Sequence, residues 1–316
     1  MSYTVTIKEE ICSIKNSNSE IVAELAGFIR NSGGFTKNKI KMSTENKFIL
    51  ERIQTFLQDM YNADSKIEVI ENLNFSKKSL YQITLKDNSN TILKSLGILD
   101  HDNMFINPTP EYIIGGNSEI RAYIRGVFLS TGSINDPKKS RYHLELLLKD
   151  AKETVLVQKL LNLFDLNAKI LNRDKGYMIY IKEAEKISDF IKIIGAPKAV
   201  LYFEDVRVYR DQKNKTNRLN NMEQANMDKV IETASNQLSD IEVIEKNDGV
   251  MLLDDKVKTA LEYRKKYPEA SLKELAEIIS LETNKKITKS GLNHRLRKIK
   301  DLADNFKKMS EEWYLF

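Results

Sequence analysis

Cysteine is almost absent from this 316-residue chain: Cys12 stands alone, so no intrachain disulfide can form. A lone cysteine fits a reducing compartment, and this one reads as a small buried hydrophobe rather than a nucleophile. Histidine is nearly as scarce. His101, His143 and His294 lie too far apart in sequence to make a local metal motif. Two glycine pairs occur, at 33–34 and 115–116, but neither belongs to a lysine-bearing phosphate loop. No serine or threonine sits in a nucleophile-elbow context. No charge-free run is long enough to span a bilayer. The segment MSYTVTIKEEICSIK lacks the basic start and apolar core of a signal peptide. The expectation is a cytoplasmic protein, away from membranes, with no metal, no cofactor and no catalytic residue.

Acidic residues are missing from one stretch in particular. Between Lys285 and Lys300 there are seven basic side chains and no acid. The whole chain carries a net charge of +5, yet residues 256–316 hold 15 basic and nine acidic side chains, leaving the preceding 255 at −1. A positive field concentrated at one end attracts polyanions.

What is present in duplicate organises the rest. Glu20–Gly33 (EIVAELAGFIRNSG) and Glu119–Gly132 (EIRAYIRGVFLSTG) match at an offset of 99 residues, at which Glu20, Ile21, Ala23, Gly27 and Gly33 meet Glu119, Ile120, Ala122, Gly126 and Gly132. Such self-similarity indicates an internal duplication. Ala23 with Gly27, and Ala122 with Gly126, are spaced i, i+4, so each helix has one face nearly bare of side chain. Two such faces allow close backbone approach, and the two helices are expected to pack on each other. The alternative is a pair of ordinary core helices that each tolerate a glycine.

The elements follow the same order twice. Ser17 and Glu20 form a capping box at the first repeat helix, after a short helix over Thr4–Ile14. Strand Lys39–Ser43, helix Asn46–Tyr61, strands Lys66–Ile70 and Leu80–Leu85, and a helix ending at Leu96-Gly97 complete one half. Helix Ser118–Thr131, strand Tyr142–Leu148, helix Thr154–Phe164, strands Ala168–Leu171 and Tyr177–Ile181, and a helix ending at Ile194-Gly195 make the other. This predicts an α+β domain over residues 1–200, built from repeats at about 17–97 and 117–195. Residues 201–250 read as a polar, partly helical connector. Its Arg207, Arg210, Lys213, Lys215 and Arg218 fit a solvated linker or a phosphate-contacting segment equally.

Residues 251–316 read as a separate all-α unit: helix Lys256–Tyr267, helix Leu272–Ile279 behind a Ser271/Glu274 capping box, and a third helix capped by Ser290. Leu292, Leu296 and Ile299 face inward on the third helix, and Asn293, His294, Arg295, Arg297, Lys298 and Lys300 are displayed. Three short helices with a basic last one fit helix-turn-helix architecture, the alternative being a small bundle with a solvated basic face. The connection Leu281–Thr288 is longer than the usual turn of that motif. Candidate DNA contacts are Lys285, Lys286, Lys289 and Ser290 together with the six displayed residues. Asn293, Arg295 and Arg297 are assigned to base edges, and Lys289, Lys298 and Lys300 to phosphates.

The repeat helices resemble the LAGLIDADG motif of homing endonucleases: Leu25–Gly33 (LAGFIRNSG) and Ile124–Gly132 (IRGVFLSTG) are degenerate copies. The resemblance implies that the residue before each final glycine once held a divalent cation. Those positions are Ser32 and Thr131 here, and a hydroxyl brings no charge to offset the dehydration of a hard ion. Arg30 and Asn31 also depart from the endonuclease pattern.

Along nearly its whole length the chain resembles the WhiA regulators. The carrying residues are Arg125–Ser133 (RGVFLSTGS), Tyr142–Glu145 (YHLE), Asp189–Ile191 with Ile194–Ala196, Val206–Val208, Asn217-Arg218 with Glu223–Asn226, Pro268–Leu275 (PEASLKEL) and Ser290–Lys298 (SGLNHRLRK). This implies a pseudo-twofold, duplicated LAGLIDADG endonuclease-like domain followed by a helix-turn-helix domain. It also implies a nucleoid-associated, non-catalytic protein that binds double-stranded DNA in sporulation-type gene control, cell division and chromosome segregation. A monomer is favoured. Two other readings remain: a residual metal-dependent endonuclease, and an adaptor whose near-neutral first domain binds an RNA polymerase sigma factor or a division protein.

Overall fold

The computed structural model describes residues 2–32, 34–71 and 79–313. Gly33, the last position of the first repeat, lies outside them. The chain forms two compact units, Met1–Asp211 and Gln212–Phe316.

The first unit opens with α1 (Tyr3–Ile11). One half then runs α2 (Asn18–Ser32), β1 (Phe35–Thr36), β2 (Lys39–Thr44), α3 (Lys47–Tyr61), β3 (Lys66–Glu71), β4 (Ser79–Leu85) and α4 (Ser89–Ser95). The other runs α5 (Asn117–Thr131), β5 (Gly132–Ile134), β6 (Leu144–Leu148), α6 (Ala151–Asn162), β7 (Lys169–Arg173), β8 (Gly176–Ile181) and α7 (Ala184–Ile193). Each half holds a four-stranded antiparallel sheet, in the orders β1-β2-β4-β3 and β5-β6-β8-β7. The α+β duplication is therefore complete in topology. Each sheet has one strand more than the sequence pattern indicates, because β1 and β5 are too short to show a period of two. Helix α6 also starts earlier than Thr154, since the Asp150 carboxylate accepts the Glu153 N–H at 2.9 Å and caps it.

Local chemistry repeats as well. Ser17 and Glu20 exchange the two bonds of a capping box at the start of α2. At the ends of α4 and α7, Gly97 (φ +64°) and Gly195 (φ +86°) take the left-handed conformation that turns the chain out of the helix.

The centre of the unit is the α2–α5 contact, the most extensive between any two elements among the described residues. Ala23 and Ala122 are fully buried there. A Cβ on Gly27 would overlap the Tyr123 carbonyl oxygen and lie 3.2 Å from the Val127 nitrogen; one on Gly126 would overlap the Glu24 carbonyl oxygen and lie 2.9 Å from the Phe28 nitrogen. Backbone thus meets backbone, and the apolar core closes around it through Leu25, Ile29, Ile124 and Phe128.

Two buried charge networks fasten the halves. Glu24 of α2 accepts from Arg52 Nε at 2.5 Å and Arg52 Nη2 at 2.9 Å, and from Arg125 Nε of α5 at 2.7 Å. Burial alone would raise the Glu24 carboxyl, but the hydrogen bonds and charges of the two guanidinium groups outweigh it and hold the group below its ordinary value. In the other direction, Arg30 of α2 donates to the Ile106 and Gly97 carbonyls at 2.6 and 2.7 Å and lies 3.8 Å from Glu153 of α6. Tyr123 of α5 donates to the same carboxylate. Arg30, which departs from the endonuclease pattern, is thus an interior tie.

Helix α8 (Pro197–Lys246) follows, its first N–H groups capped by Glu10, which accepts from Lys198 at 2.7 Å and Ala199 at 2.9 Å. The region expected to be a connector from 201 to 250 is therefore mostly one helix. Every residue from 211 to 229 is exposed, so no apolar stripe marks it in the sequence.

Gly126→Ala is expected to lower stability by about 3 kcal/mol or more, because its Cβ meets rigid backbone. Gly115→Ala, whose Cβ would find its nearest neighbour at 3.7 Å, is the control, and chemical unfolding of both reads the difference. Glu24→Gln leaves two buried cations short of a partner and is expected to cost about 3–5 kcal/mol at neutral pH. Because the folded state depresses this carboxyl, its contribution is present above the ordinary value of 4.5 and is lost as pH falls through the lower folded value. The gap between parent and Glu24→Gln melting temperatures should narrow below pH 4.5.

Candidate nucleic-acid interface

The second unit has its own core. The last turns of α8 contribute Ile241 and Ile244; α9 (Asp255–Lys266) adds Val257, Ala260 and Leu261; α10 (Leu272–Thr283) adds Leu275 and Ile279; α11 (Lys289–Trp313) adds Leu292, Leu296, Ile299 and Ala303. The unit thus begins inside α8 rather than at 251. Asp254 caps α9, and the Ser271/Glu274 capping box opens α10.

Two details of the turn differ from the sequence pattern. Helix α10 continues to Thr283, so the α10–α11 connection is only residues 284–288, closed by Asn284 in the left-handed conformation. Thr288, not Ser290, caps α11: its Oγ1 accepts the Gly291 N–H at 3.1 Å, which places Ser290 in the first turn. Ser280 Oγ accepts the Ile287 N–H at 2.9 Å and pins the connection to α10.

The basic residues of α11 divide by helix face. Opposite the buried row, Ser290, His294, Arg297 and Lys298 are exposed. On one flank, Asn293, Arg297 and Lys300 line a groove of about 410 Å³ with Asn236, Gln237 and Asp240 of α8. On the other flank, Arg295 Nη1 reaches the Lys256 carbonyl at 3.4 Å, and Lys298 Nζ lies 3.2 Å from Asp254. The Asp254 carboxyl is held below its ordinary value, first by the Val257 N–H and then by Lys298. That pair is half exposed and screened by solvent, so a phosphate can compete for Lys298. Asn293, Arg295 and Arg297, grouped by sequence, do not share one face. Lys285, Lys286 and Lys289 are exposed around the start of α11.

In the first unit, Ser32 and Thr131 come together at a groove of about 860 Å³ below the α2–α5 pair, with Lys8, Lys41 and Lys149. Both hydroxyls turn back onto their own helices: Ser32 donates to the Ile29 carbonyl at 2.9 Å and Thr131 to that of Val127 at 3.2 Å. Lys8 Nζ donates to the Leu129 carbonyl at 3.1 Å, and burial lowers its pKa to about 8. Among the described residues no group of three or more His, Cys, Asp or Glu side chains is placed to hold a metal ion. Cys12 is half-buried, and burial pushes its thiol up to about 12, away from nucleophilic reactivity. Of the basic residues of the 201–250 stretch, Arg210 is held by the Pro137 and Ser140 carbonyls at 2.6 and 2.9 Å, and Arg207 by Glu204 at 3.1 Å; Lys213, Lys215 and Arg218 are exposed.

Sequence reasoning passed over Arg264, which is buried at the end of α9. Its signal was its place on the inward stripe Val257, Ala260, Leu261, Arg264.

Comparisons with known proteins cover nearly the whole chain. Family profiles described as the WhiA N-terminal LAGLIDADG-like domain, the WhiA LAGLIDADG-like domain and the WhiA C-terminal HTH domain match residues 18–99, 120–213 and 216–303. A protein of Enterococcus faecalis named "Probable cell division protein WhiA" is 38% identical over 314 residues, 98% of this chain and all of the relative. Proteins of the same name from Pediococcus pentosaceus and Bacillus cereus are 37% and 38% identical over 311 residues; each match takes in 97% of this chain, with 100% and 98% of the relatives. The crystal structure of a full-length DUF199/WhiA protein from Thermatoga maritima is similar at a TM-score of 0.58 and 25% identity, covering 97% of this chain and 99% of that one.

With hydroxyls where carboxylates would be needed, millimolar Mg²⁺ or Mn²⁺ is expected to leave the melting temperature of the protein unchanged. A bound ion would raise it by mass action, and a concentration-dependent rise would contradict this account of the groove.

Proposed function

The chain belongs to the WhiA family, and from that premise we propose that it is a non-catalytic, DNA-binding regulator of cell division. Its second unit holds double-stranded DNA with α11 in the major groove. The observation that carries this reading is the run of seven cations from Lys285 to Lys300, without one acid, folded around the exposed start of a helix-turn-helix. His294 and Arg297, with Ser290 and Asn293 beside them, are the groups proposed to reach base edges; Arg297 has the donor fork that suits guanine. Lys285, Lys286, Lys289, Lys298 and Lys300 are proposed for phosphates, and Arg295 for holding α11 against α9. The division of labour follows: the duplicated unit is a scaffold and the second unit the reader. The relatives' shared name supports the role in cell division; roles in chromosome segregation and sporulation-type transcription are proposed from the family resemblance.

The proposal that this protein holds rather than cuts DNA is supported by Ser32 and Thr131, whose hydroxyls bond to their own helices. Incubation of supercoiled plasmid with protein and Mg²⁺ should leave it intact, and nicking that follows the protein through purification would refute this half of the reading.

For binding, Arg297→Ala is expected to cost about 1–3 kcal/mol and to relax sequence preference, while Lys300→Ala should weaken all duplexes alike and reduce the salt slope by about one. Titration of labelled duplexes across a salt series measures both. Unchanged affinity in Arg297→Ala combined with His294→Ala would sink the assignment of α11.

A further inference from the structure

Beside α11, within the second unit, the N-terminus of α10 opens into a pocket of about 240 Å³ lined by Lys229, Thr233, Arg264, Ser271, Lys273 and Lys289 among others. Its lining holds four cations and no carboxylate. The first-turn N–H groups of α10, those of Leu272 and Lys273, have no intrahelical acceptor to reach. The one acid of that turn, Glu274, is engaged by the Ser271 N–H at 2.8 Å.

Arg264 is the independent sign of a ligand. It is only 1% exposed, yet its partners are backbone carbonyls: Nη1 donates to Ala270 at 2.6 Å, to Tyr267 at 3.4 Å and to Pro268 at 3.5 Å. Its Nε has no hydrogen-bond partner. No ion pair among the described residues involves it, and burial lowers its pKa. An interior cation without an anion is costly, and here it lines a pocket whose other walls are also positive. A helix N-terminus adds a further partial positive charge.

We propose that this pocket seats a phosphodiester of the bound DNA backbone, with Lys229, Lys273 and Lys289 closing on its oxygens above Arg264 and the first turn of α10. The inference rests on the reading of the second unit as a DNA-binding domain. It adds to that reading a clamp that fixes register, and it extends the footprint to α8 through Lys229, a residue outside the three-helix motif. The phosphate in turn supplies the counter-charge that Arg264 lacks.

The test is duplex binding by the full chain over a salt series, for the parent, Lys229→Ala, Lys273→Ala and, as a control outside the pocket, Lys246→Ala. Lys229→Ala and Lys273→Ala are expected to bind roughly tenfold more weakly, with a salt slope shallower by about one, whereas Lys246→Ala stays close to the parent. Phosphate-ethylation interference adds a readout that general electrostatics does not move: one modified phosphate should weaken the parent and be without effect on Lys229→Ala. Parental affinity and slope in both pocket variants, with binding still weakened in Arg297→Ala, would overturn the clamp and leave the helix-turn-helix reading standing. Absence of salt-dependent binding by the parent would overturn both. Titration with inorganic phosphate separates the sources of the anion: tight binding that Lys229→Ala abolishes, at unchanged duplex affinity, would show a free-phosphate site and refute the DNA assignment.

Discussion

The first unit depends on the contact of one backbone with another. Helices α2 and α5 approach until the place of a Cβ on either Gly27 or Gly126 is occupied by the neighbour's carbonyl oxygen. At that distance the two helices behave as one element, and each half of the duplication hangs its sheet and remaining helices from it. The charges are arranged to suit. Arg125 crosses from the second half to Glu24 of the first, and Arg30 crosses from the first to Glu153 of the second. Buried pairs of this kind add little net stability over an apolar core, but separating them leaves unpaired charge in the interior. They therefore penalise any slip of one half against the other.

That scaffold ends in chemistry of a different kind from the fold it resembles. Ser32 and Thr131 close the helices with hydroxyls bonded backwards, and the groove beneath them carries lysines and the single carboxylate of Glu45 among its described lining residues. One carboxylate among lysines offers a hard divalent cation little charge to offset its dehydration. In the second unit, cations cluster around the start of α11 and line the pocket at α10.

Much of this was legible in the sequence. The 99-residue offset shows the duplication, because small residues at i, i+4 cannot be exchanged without a clash and so keep their spacing. The capping boxes at Ser17 and Ser271 and the glycines at 97 and 195 mark helix ends by local chemistry alone. What was hidden has physical causes. Strands β1 and β5 span two and three residues, too few for a period. The middle of α8 is exposed on every side, so the helix has no buried stripe to find. Thr288 and Ser290 are both good caps, and only geometry decides for Thr288. Glu24, Arg30, Arg125 and Arg264 look like surface charges until the fold buries them. Asn293, Arg295 and Arg297 fall on different flanks because the rotation of α11 follows its buried row of Leu292, Leu296 and Ile299.

The central claim is that α11 lies against duplex DNA while the duplicated unit does not read it. An iron chelate tethered at His294→Cys, in a chain carrying Cys12→Ser, cuts whatever backbone passes within its reach. The account predicts strand scission confined to one short window of the bound duplex. No scission from position 294, together with clear scission from the same chelate at Lys41→Cys in the groove of the first unit, would contradict it.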